Sequence, residues 1–311
     1  MLTKLYPMVQ FKKDTWEIDE FDVASMFLLV GTERAMLIDC GMGIGDLRGA
    51  VEMITGNKPL TVVITHGHID HTGNGRQFDE LWINPLDAGA PIPQSLARRK
   101  YDIERIAARN KGAIGAPFTM FNLYPFDLNE DVREDADRPM PVLRDLCDGQ
   151  QFDLGGGRIV TAYACPGHTA GQMIFLDEQT RTLICGDALN FNLGVGAVPA
   201  ETTLKGLKRM RDLGDKYDGI YNGHHDFRAF GAPLDPDCLE NAIAILEDVM
   251  AGHLNEVKMP SFWGQSVPLT RDGAEEQKPA MTGTGMQPPM RRMMLHKGRN
   301  FLAINPDKIR E

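Results

Sequence analysis

The amino-acid sequence predicts an α/β protein whose strand ends carry the chemistry. Three observations point that way. Short β-branched apolar runs alternate with helical stripes along the chain. One run, Thr61 to Thr65, ends in His66-Gly-His68-Ile-Asp70-His71, which places three of the eight histidines within six residues. Three later runs end in His168, Asp187 and His224.

Phe27–Val30 and Ala35–Ile38 flank Gly31-Thr-Glu-Arg34 and read as a hairpin. Asp39 follows with glycines at 41, 43 and 45, a spacing that fits neither dinucleotide nor P-loop patterns. A tight turn bringing Asp39 to the metal loop is the expectation, with a short helix over 46–55. In the extended segment after Thr65, residues two apart face one way, so His66 and His68 can grip one ion. Asp70 and His71 sit where the chain turns into a helix and can point at a second position. Imidazole and carboxylate without thiolate suit zinc, iron or manganese.

Glu80–Asn84 reads as the next strand. Residues 88–147 read as a helical and loop insertion. Within it Leu96, Ile103, Ile106 and Ala107 make a stripe on a basic helix carrying Arg98, Arg99, Lys100, Arg105, Arg109 and Lys111. That segment is a solvated helix face or a site for an anionic substrate. An aromatic stretch (Phe118, Phe121, Tyr124, Phe126) and an acidic loop over 127–137 follow, and the readings open for them are a lid, a dimer contact or a segment packed on its own helix.

Asp148–Gly157 is rich in turns. Arg158–Ala164 is a strand ending in Cys165-Pro-Gly-His168-Thr-Ala-Gly171, and Met173–Leu176 and Thr182–Cys185 are a strand pair ending in Gly186-Asp187. Residues 201–214 read as a helix and Gly219–Asn222 as a strand running into Gly223-His224-His225. Residues 236–253 read as a helix, 259–290 as an extended loop with methionines in a cluster at 286–294, and Met293–Ile304 as one final strand. Alternation along the strand lets one of His224 and His225 face the metals. Which of the two it is stays open on alternation alone.

A net charge of −10 and a pI near 5.3 speak against nucleic acid and anionic membrane as partners. Five scattered cysteines without C-x-x-C spacing argue against a disulfide framework or thiolate zinc. No signal-peptide pattern or membrane-length apolar run is found, so the expected location is cytoplasmic.

Taken in order, His66-x-His68-x-Asp70-His71, Pro166-Gly-His168-Thr with Gly171, Gly186-Asp187 and Gly223-His224 resemble the metallo-β-lactamase-fold superfamily of metallohydrolases. The resemblance covers about residues 20–230 outside the insertion. It implies a four-layer αββα sandwich of two mixed sheets with outer helices, forming a single domain over 1–311 with the insertion at 88–147 and a C-terminal extension at 259–311. It implies two divalent ions, zinc ahead of iron or manganese. One would take His66, His68 and His168, the other Asp70, His71 and His224, with Asp187 bridging and Asp70 as the catalytic residue that orients the nucleophilic hydroxide. The resemblance places the last ligand directly after glycine, which implies His224, with His225 beside it or at the surface. It also implies a small-molecule substrate.

The chain also departs from particular family branches. True β-lactamases usually lack aspartate where Asp187 stands, oxygen-reducing diiron flavoproteins place Glu where His68 stands, and 250–311 does not resemble a glutathione-binding helical domain. The expected function is a dinuclear hydrolase of an ester, thioester, lactone or phosphoester. The alternatives are an iron-dependent oxidoreductase of the sulfur dioxygenase kind and a non-catalytic metal-binding protein. The oligomeric state, including a homo-oligomer, is open.

Overall fold

The computed structural model describes residues 5–89, 92–112, 126–134, 137–225, 228–254 and 293–310, with backbone alone for 106–112. Seven strands form the first sheet in sequence order: β1 (Met8–Lys12), β2 (Thr15–Asp19), β3 (Ser25–Val30), β4 (Ala35–Ile38), β5 (Leu60–Val63), β6 (Glu80–Ile83) and β7 (Val142–Asp145). β1 to β4 pair antiparallel; β4 to β7 pair parallel. The second sheet uses β8 (Gln151–Asp153), β9 (Ile159–Ala164), β10 (Met173–Asp177), β11 (Thr182–Gly186) and β13 (Gly219–Asn222), in the order β13-β11-β10-β9-β8. A small third sheet orders β12 (Asn192–Gly194), β15 (Asn300–Ile304) and β14 (Met293–Lys297).

The helices are α1 (Leu47–Thr55), α2 (Ile69–Thr72), α3 (Leu96–Gly112), α4 (Ala200–Asp212) and α5 (Asp237–Met250). Strand alternation sorts their partners. Phe27, Leu29, Met36, Ile38 and Val63 turn inward and meet Val160, Ala162, Phe175 and Ile184 of the second sheet. Leu28, Leu37 and Val62 turn outward onto Leu47, Ala50 and Val51 of α1 and Ile103 of α3. Ile174, Leu176 and Leu183 turn outward onto Leu204, Leu207, Leu239, Ile243 and Leu246 of α4 and α5. The result is the expected helix–sheet–sheet–helix layering, with buried apolar faces supplying the drive to assemble.

The structure corrects the element reading in three places. β1 and β2 precede the hairpin. β7 lies inside the segment read as helix and loop, pairing Glu80 to Ile83 with Val142 to Asp145. The stretch read as one final strand is a hairpin, β14 and β15, turned at Gly298 (φ 57°). Phe118, Phe121, Tyr124, the 259–290 loop, and Met286 and Met290 of the methionine cluster lie outside the described residues. Phe126, at the end of the aromatic stretch, packs at a tilt of 38° against Phe21 with ring centroids 5.1 Å apart.

The basic face of α3 is engaged within the chain. Arg99 is buried and donates to the carbonyls of Gly43, Gln94 and Arg133. Arg98 pairs with Asp102, Lys100 reaches Asn129, and Arg105 donates to the Tyr101 hydroxyl. Among the described side chains this segment is a packed helix face, not an open anion site. Among the described residues no helix is long and apolar enough to cross a membrane.

Candidate metal centre

β5 stops where its next backbone donor finds a side chain. Ile64 N–H still bonds to Trp82 O at 2.8 Å, but Thr65 N–H donates to Asp39 Oδ1 at 2.7 Å. Asp39, at the end of β4 with φ 68°, is therefore the hinge of the site, as its place after the hairpin suggested. Its Oδ2 accepts from the Thr65 hydroxyl at 2.8 Å and from His71 Nδ1 at 2.9 Å. The Thr65 oxygen in turn accepts from His66 Nδ1 at 3.0 Å. On the second sheet His168 Nδ1 donates to Gly194 O of β12 at 2.9 Å. With Nδ1 of His66, His71 and His168 committed as donors, each ring turns its Nε2, the atom left to ligate, toward the cavity.

The structure brings all seven sequence-predicted residues together. His66 Nε2 and His168 Nε2 each lie 3.0 Å from His68 Nδ1. His224 Nε2 lies 3.4 Å from Asp70 Oδ2, and His71 Nε2 lies 3.7 Å from that same oxygen. Asp187 reaches both sets: Oδ2 is 3.6 Å from His168 and 3.3 Å from His224, and Oδ1 is 3.7 Å from His71. His66 and His71 are fully buried, whereas His68, Asp70, His168 and His224 are partly exposed, giving a dry floor under an open mouth.

Gly223 permits this closure. A Cβ there would stand 2.6 Å from His71 Cε1 and 2.9 Å from Asp187 Oδ1. His225 faces away from the cluster and is buried, not at the surface. Its Nε2 lies 3.0 Å from Asp22 Oδ1 and 3.1 Å from Asp19 Oδ1, where the two carboxylates hold the ring protonated up to about 10 despite burial.

The donor set fits cations. His66 Nε2 and His168 Nε2 each stand 3.0 Å from His68 Nδ1, close to the roughly 3.3 Å that separates ligands around one tetrahedral ion with metal–nitrogen bonds of about 2.0 Å. Two buried atoms, His71 Nε2 and Asp187 Oδ1, have no hydrogen-bond partner, a costly arrangement unless something else satisfies them. Burial pushes His66 well below its ordinary value; at solvent-facing His68, desolvation by the surrounding ligand groups and the neighbouring His168 lower the ring to about 4, so both are neutral ligands near pH 7. Burial opposes charge on His71 too, yet Asp70, Asp39 and Asp187 raise it to about 10. That half of the cluster therefore favours a positive charge. Asp187 is held well below the carboxylate range, against burial, by His224, His71 and His168.

Residues that motif reading passed over shape the same floor. Buried Glu20 accepts from the backbone of Met42, from Gly43 at 3.0 Å and Ile44 at 2.8 Å, and from Asn74 Nδ2 at 3.0 Å. The alternate-glycine loop thus wraps an internal carboxylate, which explains why its spacing matches no phosphate cradle.

The family model described as the metallo-beta-lactamase superfamily matches residues 19–224. The chain belongs to that superfamily. An acyl-coenzyme A thioesterase, MBLAC2 of Bos taurus, is 29% identical over 226 residues, covering 67% of this chain and 75% of that protein. A hydroxyacylglutathione hydrolase of Francisella tularensis subsp. novicida (strain U112) is 40% identical over 73 residues, 24% of this chain and 25% of that one. Among solved structures, a metallo-beta-lactamase from Pontibacter korlensis superposes with a TM-score of 0.52 at 16% identity, covering 78% of this chain and all of that one, a likeness of fold alone. Superfamily membership implies a divalent metal, and the His/Asp cluster offers the ligands.

Proposed function

We propose that this hydrolase cleaves thioesters of small acyl groups at a dinuclear centre. One ion, zinc ahead of iron or manganese, is held by His66, His68 and His168; a second by Asp70, His71 and His224; Asp187 lies between them. The observation that carries the reading is Asp187, whose two oxygens approach histidines of both half-sites. The thioester preference is supported by a thioesterase relative spanning two thirds of the chain.

Bound divalent ions supply Lewis acidity, making water nucleophilic near neutral pH and offsetting charge that develops on the carbonyl oxygen. The chain's own residues do the rest. Buried His66 and His71 keep the floor dry, so charge interactions there are weakly screened. Asp70, with a side chain 20% exposed and turned toward His224, is placed to orient the attacking water and accept its proton. The water oxygen bonds to the acyl carbon and the carbon–sulfur bond breaks to release a thiolate, which needs no separate general acid because its thiol pKa is about 8.5. The proton taken by Asp70 then passes to the released sulfur, so one proton-handling carboxylate suffices.

A hydrolysis panel on zinc-loaded protein tests this. Acyl-coenzyme A thioesters should turn over ahead of matched oxygen esters, lactones and phosphodiesters, and Asp70→Asn should cut kcat by about 10²–10⁴-fold. Turnover confined to another bond class would overturn the thioester reading.

A further inference from the structure

We propose that Asp87 is a positioning residue that fixes the first half-site by bolting its two ligand loops together across the sandwich. This rests on the metal reading above. His66 and His68 come from the loop after β5 in the first sheet, whereas His168 comes from the loop after β9 in the second. No covalent neighbour relates them, so the spacing of the three rings depends on whatever joins the loops.

Asp87 is that join. It stands just past β6, where the insertion begins, in a turn that the Asn84 side chain organises. Asn84 Oδ1 accepts from Leu86 N at 3.0 Å, its backbone carbonyl accepts from Asp87 N at 2.9 Å, and its amide reaches Leu146 O across the turn at 3.3 Å. Asp87 Oδ2 accepts from Gly67 N–H, between His66 and His68, at 3.1 Å, and from the hydroxyl of Thr169, next to His168, at 2.6 Å. Oδ1 accepts from Gly171 N–H at 2.9 Å. One carboxylate thus takes three donors from two loops, and it joins none of the ligand groupings.

The glycines at both contacts are there for this approach. A Cβ on Gly67 would stand 2.6 Å from the Asp87 carbonyl oxygen, and one on Gly171 would stand 2.7 Å from its carboxyl carbon. A second tie, Met173 N–H to Thr65 O at 2.7 Å, holds the strands behind the site. Asp87 acts in front, at the level of the rings. Groups that orient metal ligands in this way typically contribute about 10–100-fold to metal affinity.

Cobalt(II) titration of the full chain, read by the d–d absorption band, tests the assignment without relying on turnover. A His224→Ala background confines binding to the first half-site. There, Asp87→Ala should weaken cobalt affinity about 10–100-fold and alter the band. Asp87→Asn, which keeps one acceptor, should fall between. In the His224-containing chain the second half-site should keep its affinity within a few-fold. A destabilised control at the far end of the sandwich, Arg158→Met, separates geometry from general loss of stability. If Asp87→Ala binds like its parent, or weakens both half-sites no more than Arg158→Met does, the proposal is overturned while the metal centre stands. If the unsubstituted chain takes up no cobalt, the metal reading fails and this proposal with it. Should Asp87→Ala not fold, Asp87→Asn carries the same comparison.

Discussion

At the residue scale, adjacent histidines show how one peptide step separates two roles. His224 Nε2 looks into the ligand cluster, while His225 bridges Asp19 at the end of β2 and Asp22 in the turn before β3. His224→Ala is therefore expected to lose the second ion and most activity with little change in the stability of the metal-free chain. His225→Ala removes the imidazolium facing two buried carboxylates and should lower stability by about 3–5 kcal/mol, with two ions still bound in the fraction that is folded. Chemical denaturation alongside metal analysis of both variants separates the outcomes, and equal stability loss in the two would contradict the assignment. Asp39→Asn should act differently again. It disturbs the acceptor that orients His71 and, through Thr65, His66, so metal affinity should fall about 10–100-fold in a chelator competition.

At the element scale, the loop over Gly41–Gly45 is held by Glu20, and its titration shows in stability. Burial pushes Glu20 from its ordinary 4.5 up to about 7, against the backbone donors of Met42, Ile44 and Gly43 and the Asn74 amide. Between those values the folded chain binds a proton that the unfolded chain has released. Stability from this group is thus fully present below about 4.5 and is lost as pH rises through about 7. Glu20→Gln removes that slope and turns an amide N–H₂ toward donors, costing about 1–3 kcal/mol. Urea unfolding at pH 5 and pH 8 should find wild type further ahead of the variant at pH 5; a gap that widens at pH 8 contradicts this. Elements differ in how far the sequence reveals them. β5 and its histidines were legible because β-branched burial and ligand spacing coincide within twelve residues. β7 was not, because Val142 to Asp145 are all exposed and leave no alternation to read. Glu20 was also hidden, since a single acidic residue acquires its role only from amides 22 to 24 positions away. Asp87 was hidden for the same reason, with partners on the second sheet more than 80 positions on.

At the scale of the whole molecule, the two ends of the sandwich are secured by different chemistry. Opposite the ligand cluster, buried Arg158 pairs with Asp177 at 2.6 Å and donates to Thr15 Oγ1 and to the carbonyls of Asp14 and Val30, joining the two sheets. Arg158→Ala leaves Asp177 buried without its cation and should cost about 3–5 kcal/mol, while metal stoichiometry stays unchanged. At the other end, five histidines and two aspartates converge from both sheets, so the ions proposed there would join the halves and chelation should lower Tm reversibly. The central claim is that these seven residues form two half-sites. Metal analysis of chelator-stripped protein titrated with zinc, with thiol release from an acyl-coenzyme A thioester followed in the same samples, tests it most directly. The account predicts saturation at two ions per chain, with activity completed by the second equivalent. Saturation at one ion, or full activity in the stripped protein, would contradict it.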